Sequence, residues 1–426
     1  MQTRETINPT EHTTIYRDYV LVMLTLVYVF NFIDRQLLVI LQESIKKDLH
    51  LSDTQLGLLS GLTFAVFYCV LGIPIARMAD KRSRRNTVAV SLGLWSLMTA
   101  SCGLARNFFQ LLLARVGVGV GEAGGSPPAH AMISDYFPPK KRSTALSIYS
   151  AGIYIGTLIA YMMGSYLNHK LGWRQAFFAL GIPGVMFSVL FYSTVKEPRR
   201  GASDAATAVN EPHTFGQVLT VLFSGKTFAM LAFASALNVF CIYGLMNWVP
   251  SFLQRLHGMT TVQVGALLGP ILGIGGGIGS FMGGLLTDHF GKKDRRWYLK
   301  VPAYAILIGI PCLAGAVFLQ DKALTLTCIG LVVMLQSAYL GPALAVAHSL
   351  VPASMRSMTS AVFFLVINLI GLGLGPSVVG ALSDLLKPHY GVESLRWALS
   401  ILLVVSPVST ALFFSTAKRY AGDLKL

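Results

Sequence analysis

Apolar runs of about twenty residues follow one another along the chain, separated by short polar loops. Roughly 20 mostly apolar residues let an α-helix cross a bilayer. Twelve such segments can be marked, at about 19–41, 55–78, 87–105, 108–133, 143–167, 176–195, 227–253, 262–287, 298–319, 323–347, 357–382 and 395–416. The pattern predicts an all-α integral membrane protein with twelve transmembrane helices. The first apolar run is too long for a signal-peptide core and no small-residue cleavage site follows it, so it reads as a retained helix. A polar stretch over 196–225 opens with Lys196-Glu197-Pro198-Arg199-Arg200 and continues in Gly, Ala, Ser and Thr. It divides the chain into an N-terminal six-helix bundle (1–195), a cytoplasmic linker (196–225) and a C-terminal six-helix bundle (226–426).

Composition agrees with the pattern. Hydrophobic residues make up 54% of the 426 and charged residues only 12%, against roughly 25% charged in soluble domains. An ordinary soluble enzyme, a disordered chain and a small secreted scaffold are all excluded. The net charge of +15 would suggest a nucleic-acid partner in a soluble protein, but its placement argues otherwise. With the N-terminus in the cytoplasm, 23 of the 34 Lys and Arg fall in cytoplasmic segments, 9 in outer loops and two, Arg35 and Arg115, inside helices. That bias reports topology and contact with anionic lipid. The expected place is a bacterial inner membrane with both termini cytoplasmic, with lipids as partners and no nucleic acid. Five cysteines lie in apolar segments without framework or ligand spacing, so neither disulfides nor a metal is expected.

The two halves repeat one motif. Ala76-Arg77-Met78-Ala79-Asp80-Lys81-Arg82-Ser83-Arg84-Arg85 follows helix 2, and Gly284-Leu285-Leu286-Thr287-Asp288-His289-Phe290-Gly291-Lys292-Lys293 follows helix 8. Gly380-Ala381-Leu382-Ser383-Asp384 is a weaker echo at the end of helix 11. Repetition of this kind marks transporters built from related bundles, and a chain that duplicates internally is expected to work as a monomer. The helices, the middle loop and the duplicated Asp-basic loops resemble the major facilitator superfamily, whose fold relates two six-helix bundles by a pseudo-two-fold axis. Asn31-Phe32-Ile33-Asp34-Arg35 in helix 1 and Arg115-Val116-Gly117-Val118-Gly119-Val120-Gly121-Glu122-Ala123 in helix 4 resemble the spinster-like branch. Ala76 and Ser83 stand where the superfamily's first loop carries glycines.

Four ionisable residues fall inside predicted helices: Asp34, Arg35, Arg115 and Glu122. A central charged residue costs roughly 2.5–3.5 kcal/mol on insertion scales, so the four must pair, face a watery cavity, or both. At about 1.5 Å per residue, Asp34 on helix 1 and Arg115 on helix 4 lie at nearly one level, so a pair between them is expected. Arg115 and Glu122 are two turns apart on one helical face. With all four ionised the cluster is neutral, and protonating either acid leaves it at +1. Asp34 and Glu122 are the candidate proton carriers. Arg35 and Arg115 are their switch partners or ligands for an anionic head group. A purely structural ion-pair cluster is the plainer alternative, although buried pairs stabilise poorly compared with apolar packing. The resemblance implies coupling roles at the matching positions.

Asp80, Arg84 and Arg85, with Asp288, Lys292 and Lys293, read as a cytoplasmic gate or as topology-setting charge. Asn31 accompanies the charges of helix 1. Asn238, Tyr243, Asn247, Trp248, Gln336, Tyr339, His348 and Asn368 offer neutral polar groups on helices 7, 10 and 11. The superfamily resemblance implies that the first and fourth helices of each half line the cavity. The sequence Gly119-x-Gly121-x-x-Gly124 satisfies a dinucleotide fingerprint but no strand precedes it, so close helix approach is its better use, as for Gly152 and Gly156. Pro127-Pro128 and Gly375-Pro376 are expected to kink helices 4 and 11.

No His cluster, nucleophile elbow or Walker loop points to an enzyme, and no catalytic residue is assigned. The reading is a proton-coupled secondary transporter working by alternating access, with protons as coupling ion and no cofactor. The spinster resemblance implies lysophospholipid-like or sphingoid-phosphate-like substrates. Efflux of hydrophobic drugs, transport of small organic anions and, more remotely, a receptor or channel are the alternatives.

Overall fold

A computed structural model describes residues 14–199, 215–352 and 355–423. Helices account for nearly all of it, and no strand occurs among the described residues. The first part holds α1 (Thr14–Leu49), α2 (Asp53–Ser60), α3 (Leu62–Lys81), α4 (Arg84–Cys102), α5 (Phe108–Glu122), α6 (Ser126–Tyr136), α7 (Pro139–Leu171) and α8 (Trp173–Thr194). After the undescribed stretch come α9 (Phe215–Ser224), α10 (Lys226–Leu256), α11 (Thr261–Pro270), α12 (Gly276–Gly291), α13 (Trp297–Phe318) and α14 (Lys322–Gln336). The chain ends with α15 (Leu340–Ser349), α16 (Arg356–Ile367), α17 (Gly375–Tyr390), α18 (Ser394–Leu399) and α19 (Ile401–Asp423).

Among the described residues, nine helical stretches are long and apolar enough to cross a membrane, one of them the 63-residue run Met358–Tyr420. That run turns back at Gly391, whose φ of 53° suits a residue without Cβ. The predicted segments 87–105 and 108–133 are helical but are not among the nine. The reasons are local. Helix α4 opens on Arg84-Arg85-Asn86 and carries Ser and Thr along its length. The other segment is broken between Glu122 and Ser126, because Pro127 and Pro128 have no N–H to continue the ladder. Helix 11 is not simply kinked at Gly375-Pro376 but widens into a π-helix over Asn368–Leu374, and Ile271–Gly275 does the same ahead of α12. Large apolar side chains such as Phe109, Leu113, Met186 and Leu385 stay exposed on the outside of the molecule, where only lipid tails would cover them.

The chain passes back and forth between two ends. One, the linker end, gathers Tyr16, Tyr136, Thr194 and Lys196. The Tyr16 hydroxyl donates to Thr194 O and accepts from Lys196 N, while the Tyr136 hydroxyl donates to Lys196 O. Glu197 caps α4 there: its carboxylate accepts from Arg84 N at 2.8 Å, Arg85 N at 2.7 Å and Ser83 Oγ at 2.6 Å. Removing a cap costs about 0.5–2 kcal/mol, so Glu197→Gln should lower the melting temperature of the purified protein by about 1–2 °C in a thermal scan.

The buried apolar residues form three clusters. The cluster at the far end draws on both parts, from Leu37, Leu41, Leu56 and Phe177 to Phe240, Phe252, Val264 and Leu399. Toward the linker end the core splits, with Val20, Trp95, Ile133 and Phe191 in one cluster and Phe228, Ile306, Phe363 and Phe413 in the other. The two parts are therefore fused at the far end and divided toward the linker end, with Leu372 of the second part still packing into the first of these clusters. Close backbone approach makes the fusion possible. A Cβ on Gly57 of α2 would sit 2.6 Å from Pro376 O, and one on Gly265 of α11 would sit 2.3 Å from Tyr161 O.

Candidate functional site

Helices α1 and α10 contain the most deeply buried of the candidate spans, and α1 brings Asp34 and Arg35 to the middle of the molecule. Consecutive helical residues point about 100° apart, so only one of the two can face α5. Arg35 does so: its Nε donates to Glu122 Oε2 at 2.6 Å. Glu122 is the last residue of α5, immediately before the break, and is fully buried. Asn31, one turn back from Arg35, lies beside it. Arg115 is 2% exposed, and its guanidinium reaches the carbonyl oxygens of Leu59 and Asp34, each at 3.5 Å.

The expected Asp34–Arg115 carboxylate pair is therefore replaced by Arg35–Glu122. Arg115 meets the backbone of residue 34, not its side chain. Asp34 is fully buried with both carboxylate oxygens lacking a hydrogen-bond partner among the described residues, and Thr99 lies beside it. All four charged groups still converge, none of them turned toward lipid.

Aromatic rings, which the sequence reading passed over, surround Arg35. Its guanidinium carbon lies 5.3, 4.7 and 5.0 Å from the ring centres of Phe32, Phe64 and Tyr68, and Phe64 is shared with Arg115 at 5.7 Å. Phe32 precedes Arg35 by one turn, and Phe64 and Tyr68 lie one turn apart on α3, a spacing visible in the sequence. Stacking of this kind holds a guanidinium in place apart from any carboxylate. A small cavity next to it is lined by Arg35, Gln36, Phe64 and Arg115 from the first part and by Tyr243 and Asn247 from the second.

Only some of the neutral polar groups reach that cavity. Tyr243 and Asn247 do, whereas the Asn238 amide donates to Gln336 O at 3.3 Å and the Trp248 indole donates to Pro376 O at 2.9 Å. Asn238 and Trp248 are thereby committed to interhelical packing, and Gln336 contributes its backbone carbonyl to it. His348 Nε2 is bonded to Ser360 Oγ at 2.6 Å, Tyr339 is buried within the linker-end cluster of the second part, and Asn368 opens the π-helix half-buried.

The residues read as a cytoplasmic gate or as topology-setting charge have local partners of their own. Arg84 pairs with Asp135, and both Arg84 and Arg85 serve Glu197 through their backbone; Arg85 also lies 4.7 Å from the Tyr192 ring centre. Asp80 lies outside the described side chains. Asp288 accepts from the Tyr298 hydroxyl at 3.3 Å, while Lys292 and Lys293 are exposed. Arg296 and Lys300 pair with Asp294 instead. Despite slight desolvation, hydrogen bonds from Arg296 hold the Asp294 carboxyl below its usual range.

The glycines do what close approach requires. A Cβ on Gly121 would meet Trp95 N at 2.7 Å, and one on Gly156 would meet Val29 O at 2.5 Å. The stretch that mimics a nucleotide fingerprint is a packing surface.

Residues 24–376 match the family model of the Major Facilitator Superfamily. An MFS-type efflux pump of Mycolicibacterium smegmatis is 34% identical over 94% of this chain and 93% of its own length. Protein spinster homolog 1 of Xenopus tropicalis is 26% identical over 96% of this chain and 82% of its own. A solved structure of a bacterial homolog to the human lysosomal transporter Spinster, inward-facing and unoccupied, aligns with a TM-score of 0.88 at 30% identity, covering 96% of this chain and 99% of that one. With the match running through α1 to α17 and the same helical architecture, the chain belongs to the Major Facilitator Superfamily of membrane transporters, among its spinster-like members.

Proposed function

We propose that this transporter couples proton movement to the passage of an amphiphile with an anionic head group, by alternating access. Twelve spans form two six-helix bundles, 1–195 and 226–426, related by a pseudo-two-fold axis and joined by a cytoplasmic linker. The chain sits in a bacterial inner membrane with both termini inside. The fused far end is then the outer side, and the molecule faces inward.

The observation that carries the reading is the buried Arg35–Glu122 pair at 2.6 Å, beside an Asp34 carboxyl without a hydrogen-bond partner among the described residues. A proton on Glu122 ends the charge pairing and leaves Arg35 held by Phe32, Phe64 and Tyr68, with its charge available to an anionic head. Arg115 adds a second cation, and Tyr243 and Asn247 supply neutral contacts from the other bundle. An apolar body is accommodated by the same aromatic surroundings. The likeness to the M. smegmatis protein, whose name specifies efflux, favours outward transport of hydrophobic compounds as a second reading.

Purified protein in liposomes with an imposed pH gradient tests both. Accumulation of a lysophospholipid or sphingoid phosphate that collapses when the gradient is removed is the expected result. Gradient-driven movement of neutral hydrophobic drugs only, or of small organic anions only, would move the substrate to one of those classes. Transport of every compound unchanged by the gradient would end the proton-coupled account.

A further inference from the structure

The far end carries a second charged cluster that none of the assignments above uses. Arg255, at the end of α10, donates to Glu43 of α1 at 2.9 and 2.6 Å and to both carboxylate oxygens of Asp53 of α2 at 2.7 and 2.8 Å. Asp53 also pairs with Lys46 and accepts from Ser383 Oγ of α17 at 2.6 Å. Asp384, also of the second half, makes another link across the same interface. Its carboxylate accepts from Asp53 N at 3.1 Å, Thr54 N at 2.7 Å and Thr54 Oγ1 at 2.6 Å, so the second part of the chain caps a helix of the first.

Each half thus supplies a cation or an anion that the other half needs. Arg255 and Asp53 are largely withdrawn from solvent, with side-chain exposures of 16% and 2%. Separating the halves would strand Arg255, whose carboxylate partners Glu43 and Asp53 both belong to the opposite half.

This cluster is joined to the central site along two helix faces. On α10, Tyr243, Asn247, Ser251 and Arg255 recur at four-residue intervals; on α1, Arg35, Gln42 and Lys46 share a face. Between the two levels, Gln42 Nε2 donates to Asn247 O at 2.9 Å and to Ser251 Oγ at 2.6 Å. A polar seam therefore runs from the cavity at Arg35 and Tyr243 to the cluster at Arg255.

We propose that Arg255 and Asp384 are positioning residues for transport: with Glu43, Lys46 and Asp53 they form a latch that closes the far end, and the Gln42 seam ties its release to events at Arg35. This rests on the alternating-access reading. The latch is what makes the closed far end the resting state. It acts without touching substrate, by setting how often the central site faces outward.

The test is a distance measurement on the full-length protein in lipid nanodiscs, with spin labels on Cys introduced at the exposed positions Lys47 and Thr260 of opposite halves, in a background lacking the native cysteines. Wild type is expected to show a dominant short distance and a minor long one. Arg255→Gln should raise the long-to-short ratio at least tenfold, Asp384→Asn should raise it less, and Arg255→Lys should restore most of the short population. Gly265→Ala, whose Cβ would press on Tyr161 O and Ser165 Oγ of α7, opens the far end at its α7–α11 contact without altering charge and shows that the labels report separation. Should Gly265→Ala shift the ratio while Arg255→Gln and Asp384→Asn leave it at the wild-type value, the latch is refuted and alternating access stands. A single unchanging distance in wild type and all variants would overturn alternating access itself, and the latch with it.

Discussion

Glu122→Gln is expected to abolish proton-driven accumulation while leaving a folded protein that still binds its substrate. With Asp34, Arg35, Arg115 and Glu122 all ionised the central cluster is neutral, and a proton on either acid takes it to +1. Glutamine keeps the size of the side chain and an oxygen that accepts from Arg35 Nε, but it holds the site at the protonated charge permanently. For one proton per substrate, a pH difference of one unit supports roughly tenfold accumulation, equivalent to about 1.4 kcal/mol. The variant should fall to a ratio of about 1, with exchange between equal pools retained. Asp34→Asn should do the same, because it keeps the shape of a buried side chain and likewise fixes the cluster at the protonated charge. Flux assays in liposomes with and without a pH gradient read the result. Uphill transport at the wild-type level in both variants would remove the proton from these residues.

Gly156→Leu is expected to have the largest effect on the fold itself. Helix α7 lies along α1 through Gly152 and Gly156, and a Cβ at position 156 would meet Val29 O at 2.5 Å and Phe32 Cβ at 2.8 Å. Backbone cannot rotate aside as a side chain can, so the two helices must separate. Overpacking of this kind costs about 1–3 kcal/mol or more. The contact lies within two turns of Asp34 and Arg35, and Phe32 is one of the rings over the guanidinium. Loss of a monodisperse peak in detergent and a melting temperature lowered by several degrees are the expected readouts. A leucine variant as stable as wild type would show that α7 does not need this approach to α1.

The apolar runs by themselves determined that the chain is a helical membrane protein, because hydrocarbon leaves a backbone few other ways to bond. Local rules also placed several details, including a disturbance of helix 4 at Pro127-Pro128, expected as a kink and found as a break, and the tight approach at Gly156. The four intramembrane charges were equally legible, since each is too costly to be incidental. What periodicity could not decide was which neighbour each charge meets. Asp34 and Arg35 are adjacent in sequence, and only the packing of α1 against α5 turns Arg35 to Glu122 and leaves Arg115 on carbonyl oxygens.

The far-end cluster was hidden for a related reason. Arg255 and Lys46 fall among the basic residues of the outer loops, Asp53 drew no assignment from the sequence, and their sequence separations carry no periodic signal. Their meeting depends on two halves of the chain, some 200 residues apart, lying against each other. Hydrophobic pattern is local and survives in the sequence, whereas the pairing of charges across bundles exists only once tertiary packing has brought them together.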